Sequence, residues 1–192
     1  TWQTQIETIQ RIKLYNSWMP HIHVDYHEQY FNEPYYFAPA AKPYHSQITS
    51  WQREFQKIIG KNHTRYFDKN NWLYFTKEHF DLLYPGYGDT YPIYNGAIGM
   101  TYEKAGGGSA GISSVTNDGD TLTLRSRLMH HHITGLSTVE SAYKHKDRII
   151  KEFKYFFDKG IDNPISKYKT FIIKAHLNDP KREDLLRWLD TH

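Results

Sequence analysis

Two short stretches carry residue types that could do chemistry. The first is His21-Ile-His-Val-Asp-Tyr-His-Glu28, which reads as a short strand running out into a loop. Alternation along a strand points every second side chain to one face, so His21, His23, Asp25 and His27 share one face and Ile22, Val24 and Tyr26 the other. Imidazole and carboxylate groups are ligands of catalytic zinc. The octapeptide by itself reads better as a surface strand edge rich in His. The second stretch, Gly96-Ala-Ile-Gly-Met-Thr-Tyr-Glu103, changes that balance: it is a mostly apolar strand that delivers one carboxylate at its end.

Splitting an amide with zinc takes about three protein ligands with an open position, a base for the attacking water, and donors for the developing oxyanion. His27 offers a ligand at one strand end and Glu103 a base at another. In open α/β sheets such strand ends are where sites assemble. Asp25 is placed to hold a neighbouring histidine in one tautomer.

These strands need elements to position them. Residues 1–18 read as a helix with Ile6, Ile9, Ile12, Leu14 and Trp18 on one stripe, ended by Pro20. The aromatic, Pro-containing stretch 28–48 reads as an ordered, irregular loop, either a functional loop or a lid over the sheet edge. Thr49 or Ser50 caps a helix to about Ile59, with Glu54 near its first turn and Gly60 as its stop. Residues 61–83 fit short strands or a helix-loop piece. Residues 84–95 read as a turn-rich loop rich in Tyr, and the next strand covers about 97–103. The Lys104–Gly111 exit is glycine-rich but lacks the Lys-Ser/Thr ending of a phosphate loop.

Thr121-Leu-Thr-Leu124 either starts as a strand or feeds directly into a helix. That helix runs to about Lys159, with a break near Gly135 and a buried face of Ile149, Ile150, Phe153, Phe156 and Phe157. His130, His131 and His132 lie on it about 100° apart and cannot converge on one metal, so they read as partly buried packing residues. Tyr168–Lys174 reads as a strand, and Asn178-Asp-Pro introduces a helix over Lys181–Leu189.

Composition sets outer bounds. The chain has 192 residues, 39% apolar and 16% aromatic with 16 Tyr, which suits a folded core rather than disorder. A net charge of +3, with no basic run interleaved with aromatics, gives no reason to expect a nucleic-acid partner. There is no Cys, so a metal here takes His and carboxylate ligands. No apolar run approaches the roughly 20 residues of a membrane span. The first residue is Thr1, in what reads as mid-helix, so the sequence is expected to be an excised piece.

Taken together, the segments resemble the zinc carboxypeptidases of the carboxypeptidase A type. Val24-Asp-Tyr-His-Glu28 is similar to their Asp-x-His segment, and Thr101-Tyr-Glu103 to their Thr-x-Glu segment. The run from Asp81 to Glu103 resembles a bacterial branch of the family, as does Leu122-Thr-Leu-Arg-Ser-Arg-Leu-Met-His-His-His132. The resemblance covers roughly residues 5–158. It implies a zinc-dependent peptidase that hydrolyses a peptide bond, with His27 as a zinc ligand and Glu103 as the base that activates water. It implies substrate-binding roles for Tyr84 or Tyr87 and a pocket role for Asp89, with Asp25 supporting the metal ligand. Secreted or periplasmic location is the family habit.

The departure is that the family's first two zinc ligands come from a His-x-x-Glu segment, and no His-x-x-Glu occurs in this sequence. The resemblance therefore implies the C-terminal half of a catalytic domain, over 1–160. Residues 161–192 form a terminal strand-helix unit, the possible start of a following α/β domain. The expected fold is α/β, a mixed central sheet flanked by helices in three layers, N-terminally truncated. Such a chain is expected to hold zinc weakly and to hydrolyse nothing alone. Its exposed sheet edge and apolar surface favour a homodimer.

Two rivals differ in kind. His21-x-His-x-Asp25 is similar to the opening of the His-x-His-x-Asp-His motif of metallo-β-lactamase-like hydrolases, but Tyr26 intervenes before His27. A non-catalytic binding or scaffold module is the other.

Overall fold

The computed structural model describes residues 5–106, 108, 110–162, 167, 168, 170–174, 176 and 179–192. Among them are six helices and eight strands, arranged as a mixed parallel and antiparallel sheet flanked by helices. Contacts divide the chain into two units: His21–Tyr155, and Thr1–Pro20 together with Phe156–His192.

The larger unit is built on β1 (Ile22–Gln29) and β6 (Ile98–Ala105), which pair in parallel along their whole length. The sheet order is β1-β6-β2-β4, with β2 (Tyr35–Tyr36) antiparallel to β6 and parallel to β4 (Tyr74–Phe75). Two further pairs stand apart: β3 (Ala41–Tyr44) parallel to β5 (Asp81–Leu82), and β7 (Ser113–Val115) antiparallel to β8 (Thr121–Thr123). The stretch 28–48 is irregular over most of its length but is broken by β2 and β3. Its Tyr35, Tyr36, Phe37 and Ala38 are buried and enter the sheet and core. Two adjacent aromatics can be buried at once because a strand inside a layered fold covers both its faces.

One face of the sheet is covered by α2 (Ser50–Lys69) and α4 (Leu124–Lys144). Phe55, Ile59 and Phe67 of α2 cluster with Ile98, Met100 and Tyr102 of β6, and Ile22 and Val24 of β1 pack against them. Thr49 caps α2 in a reciprocal box with Gln52. Glu54 takes no part in it; it pairs instead with Arg148 at 2.9 Å. Gly60 does not stop the helix. It lies mid-helix where a Cβ would overlap the Ala38 carbonyl, so its role is close packing against the 35–38 segment. The helix therefore takes in Tyr66-Phe-Asp68, one of the stretches open to a strand reading.

β2 reaches β6 only at Glu103, which leaves carbonyls earlier in β6 without a strand neighbour. Two buried amides from α2 satisfy one of them and two carbonyls just before the strand. Gln52 Nε2 donates to the Ala97 and Ile93 carbonyls, both at 2.8 Å, and Gln56 Nε2 donates to that of Gly99 at 3.0 Å. Buried backbone acceptors are nearly always paired, and here side chains do what a longer strand would do.

β8 leads directly into α4, so 121–124 is both strand and helix start. The break before α5 (Lys146–Asp162) falls at His145, not at Gly135. Gly135 stays helical with the Tyr26 hydroxyl close by. Of the expected apolar face of α5, only Ile149 is buried; Ile150 is 57% exposed.

In the smaller unit, α1 (Ile6–Trp18) buries only Ile12, while Ile6, Leu14 and Trp18 are exposed. α6 (Pro180–Thr191) is capped by Asp179, with Pro180 in its first turn. Asn16 Nδ2 donates to the Thr191 carbonyl at 2.9 Å. The expected strand at Tyr168–Lys174 does not form among its described residues. Phe171 and Ile172 there are more than 80% exposed, and an extended run without a neighbouring strand leaves its backbone groups to water. Among the described residues, no helix is long and apolar enough to cross a membrane.

Candidate active site

The register of β1 and β6 builds the site. Asp25 lies opposite Thr101 and His27 opposite Glu103, so four polar side chains share one face at the C-terminal ends of two parallel strands. His27 Nδ1 is 3.7 Å from Glu103 Oε1. The Thr101 hydroxyl donates to the Asp25 carbonyl at 3.1 Å and also lies 3.5 Å from Glu103 Oε1. His27 is largely exposed, at 60% of its side chain, while Glu103 is covered, at 7%. One partner faces solvent and the other faces the protein.

Asp89 arrives from the opposite direction. It precedes α3 (Thr90–Tyr94) and accepts from the Thr90 hydroxyl at 3.0 Å. The short helix occupies part of the expected loop 84–95. It packs on β6 at Gly99, where a Cβ would overlap the Asp89 carbonyl. The missing side chain is what lets this turn seat against the strand.

Asp25, His27, Thr101, Glu103, Tyr87 and Asp89 line a single cavity of about 210 Å³. The sequence marks all of these as candidates but Thr101, which enters there only as part of the Thr-x-Glu segment. Tyr84 does not line this cavity; its ring meets that of Tyr87 edge-on at 5.1 Å, and both rings are about half exposed. Of the two tyrosines held open, Tyr87 is the one at the cavity wall. His21 is not in the cavity, and its ring packs on Phe153 at 4.2 Å.

Three wall residues were not foreseen: His79, Phe80 and Asp81. They come from the part of the sequence with no clear periodicity. His79 has a left-handed backbone, φ 61°, as does Lys77 at 63°. No local sequence signal marks such a turn, because neither residue is Gly or Asn.

Burial sets the protonation of the acids. Glu103 is pushed up to about 7, chiefly by burial, with the His27 ring opposing the rise and Asp25 and Asp89 adding to it. Asp89 is pushed up to about 6, again chiefly by burial, with the Thr90 hydroxyl opposing. Tyr36, paired with Glu103 in the sheet, is pushed above its ordinary range by burial. The cavity thus holds a carboxyl group balanced between its two states near neutral pH, which suits a group that both takes and returns a proton.

His27 supplies one imidazole, and among the described residues no group of three or more His, Asp or Glu side chains could hold a metal ion. Two further ligands would have to join His27 before a tetrahedral ion is fixed. Compared with models of known protein families, with curated proteins and with solved structures, the chain matches none.

Proposed function

We propose that this cavity is the base-bearing half of a peptide-hydrolysing site of the zinc carboxypeptidase type. The observation that carries the reading is the parallel register that sets His27 beside Glu103, 3.7 Å apart, at the open end of the sheet. In this reading Glu103 takes a proton from the attacking water and hands it to the leaving amine. A carboxyl group poised near 7 is suited to both transfers. Thr101, beside both Glu103 and the Asp25 backbone, holds the carboxylate in place. Tyr87 and Asp89 form the wall that a peptide side chain or terminus meets. His27 would be one of the zinc ligands, and the His-x-x-Glu segment that resemblance assigns to the others is absent from this sequence.

The reading is tested by zinc content and peptide hydrolysis in the natural polypeptide that contains this chain. His27→Ala is expected to lose bound zinc. Glu103→Gln is expected to keep zinc and lose hydrolysis by about 10²–10⁴-fold. Full hydrolysis by Glu103→Gln would overturn the assignment of the base, and unchanged zinc in His27→Ala that of the ligand.

A further inference from the structure

A second cavity, of about 380 Å³, shares no wall residue with the one at Glu103. It is lined by Lys42 and Tyr44 of β3 and by Ser50, Arg53, Glu54 and Lys57 of α2. The four α2 residues follow at i, i+3, i+4 and i+7, so they form one stripe of the helix. Ala40 ties the start of β3 to α2. Its N–H donates to Gln56 Oε1 at 3.2 Å, and its carbonyl accepts from the Tyr44 hydroxyl at 2.7 Å. Lys42, between Ala40 and Tyr44, is thereby brought to the helix.

Three of these wall residues are cations and one is an acid. The acid is already engaged: Arg148 donates to both oxygens of Glu54, at 3.0 and 2.9 Å, and its guanidinium lies over the Trp51 ring at 4.2 Å. Among the described residues, Lys42, Arg53 and Lys57 make no ion pair. Arg65, further along the same helix, pairs with Glu140 at 2.8 Å. Like charges one turn apart, as Arg53 and Lys57 are, destabilise a helix. Nothing in this wall offsets them.

A concave wall of this size suits a small ligand, since such sites run to about 300–1,000 Å³. A ligand that balances three converging cations carries more than one negative charge. A carboxylate carries one. A phosphate group carries about two near neutral pH and offers acceptor oxygens to several donors at once. The Arg53 guanidinium supplies a planar fork that matches two of those oxygens. The positive end of α2 opens at Ser50 and adds to the attraction. We propose that Lys42, Arg53 and Lys57 bind a small ligand by its phosphate group, with the Tyr44 ring beside any organic part.

The probes are inorganic phosphate, phenyl phosphate and benzoate, titrated into the chain at matched ionic strength and followed by calorimetry. The expected result is one saturable site for both phosphates, with benzoate at least about tenfold weaker. Arg53→Gln and Lys57→Gln should each weaken phosphate binding by about tenfold or more. Lys69→Gln, exposed at the far end of α2, should leave it unchanged. Glu103→Gln should bind phosphate as the wild type does, which separates this site from the one at Glu103. Phenyl phosphate bound more tightly than inorganic phosphate supports an ester as the ligand, and inorganic phosphate bound as tightly or more so supports free phosphate. No saturable binding of either phosphate, benzoate bound as tightly as phosphate, or phosphate binding that survives both Arg53→Gln and Lys57→Gln would overturn the proposal. So would a loss in Lys69→Gln as large as that in Arg53→Gln.

Discussion

The two faces of the β1–β6 pair contrast within a few ångströms. On one, Asp25, His27, Thr101 and Glu103 look into a cavity; on the other, Val24, Met100 and Tyr102 pack beneath α2 and α4. Both faces are built from the same two strands in the same register. One carries Glu103, whose carboxyl group burial holds above its ordinary pKa, and the other gathers the rings and aliphatics that hold the sheet together. Strand alternation thus lets a single pair of strands keep destabilised polar groups and the packing that supports them, separated by one residue step.

The largest effect that would break this contrast concerns activity without stability. Glu103→Gln should cut hydrolysis by the factor above and leave the unfolding midpoint unchanged or raised, because it removes a carboxylate that burial disfavours. A marked loss of stability would mean that Glu103 belongs to the packing and not to the site.

The next effect is one of sign. His63, on the packed side, is fully buried with Nδ1 2.7 Å from Ser137 Oγ, and burial holds it down at about 3. Its unfolded state binds the proton first, so stability is present above the ordinary value near 6.5 and is lost as pH falls from there toward 3. The full shift is worth about 5 kcal/mol as an upper bound. Asp89, on the cavity side, runs the other way. Its folded state binds the proton first, so stability is present below about 4 and is lost as pH rises through about 6, by about 3 kcal/mol at most. Urea midpoints against pH should show His63→Gln flattening the acid limb and Asp89→Asn flattening the rise-side limb between about 4 and 6. If Asp89→Asn leaves that limb unchanged, burial is not what governs the cavity acids.

How much of this was legible follows from what each feature depends on. The two strand ends that carry His27 and Glu103 were legible because strand alternation and strand ends are local properties; the parallel register that joins them was not. The mixed sheet with flanking helices was legible for a similar reason. Gly60 was misread because a glycine's reason for being in a helix can be a neighbour, here the Ala38 carbonyl, that no local window contains. Within 28–48 the short strands were not legible, because Pro and Tyr suggest a loop, whereas burial on both sides turned Tyr35–Tyr36 into a strand. α4 shows the limit of periodicity most plainly. Its buried stripe is Arg127, His130, Thr134, Ser137 and Ser141, while Leu128, Leu136 and Val139 are exposed. Apolar spacing points to the wrong face of such a helix. His79 and Asp81 reach the cavity through tertiary placement and a left-handed turn, neither of which the residue types announce.

A third effect tests whether the packed face is only packing. Met100 lies three residues before Glu103 in β6 and is 1% exposed within the core cluster. Met100→Ala should cost about 2–4 kcal/mol by lost burial and a residual cavity. Hydrolysis per folded molecule should hold, since the side chain faces away from the cavity. Denaturant unfolding gives the first quantity and activity normalised to folded protein the second. A fall in normalised hydrolysis comparable to that of Glu103→Gln would mean that the two faces are coupled through the strand.

The smallest effect asks whether the polar contacts of the packed face are worth as much as its rings. Tyr102 is fully buried between Tyr26 and His63, which meet it edge-on at 5.4 and 4.9 Å, and its hydroxyl is hydrogen-bonded to Thr138 Oγ1 at 2.8 Å. Tyr102→Phe keeps the ring contacts and removes one hydroxyl. Thr138 Oγ1 still donates to the Thr134 carbonyl at 2.7 Å, so little is left unpaired. The expected loss is about 1 kcal/mol, the net worth of one neutral hydrogen bond. Thr138→Val should cost about the same, and the double variant about the same again, because both changes remove one shared interaction. Losses that simply add would show that the hydroxyl pair does not act as a unit.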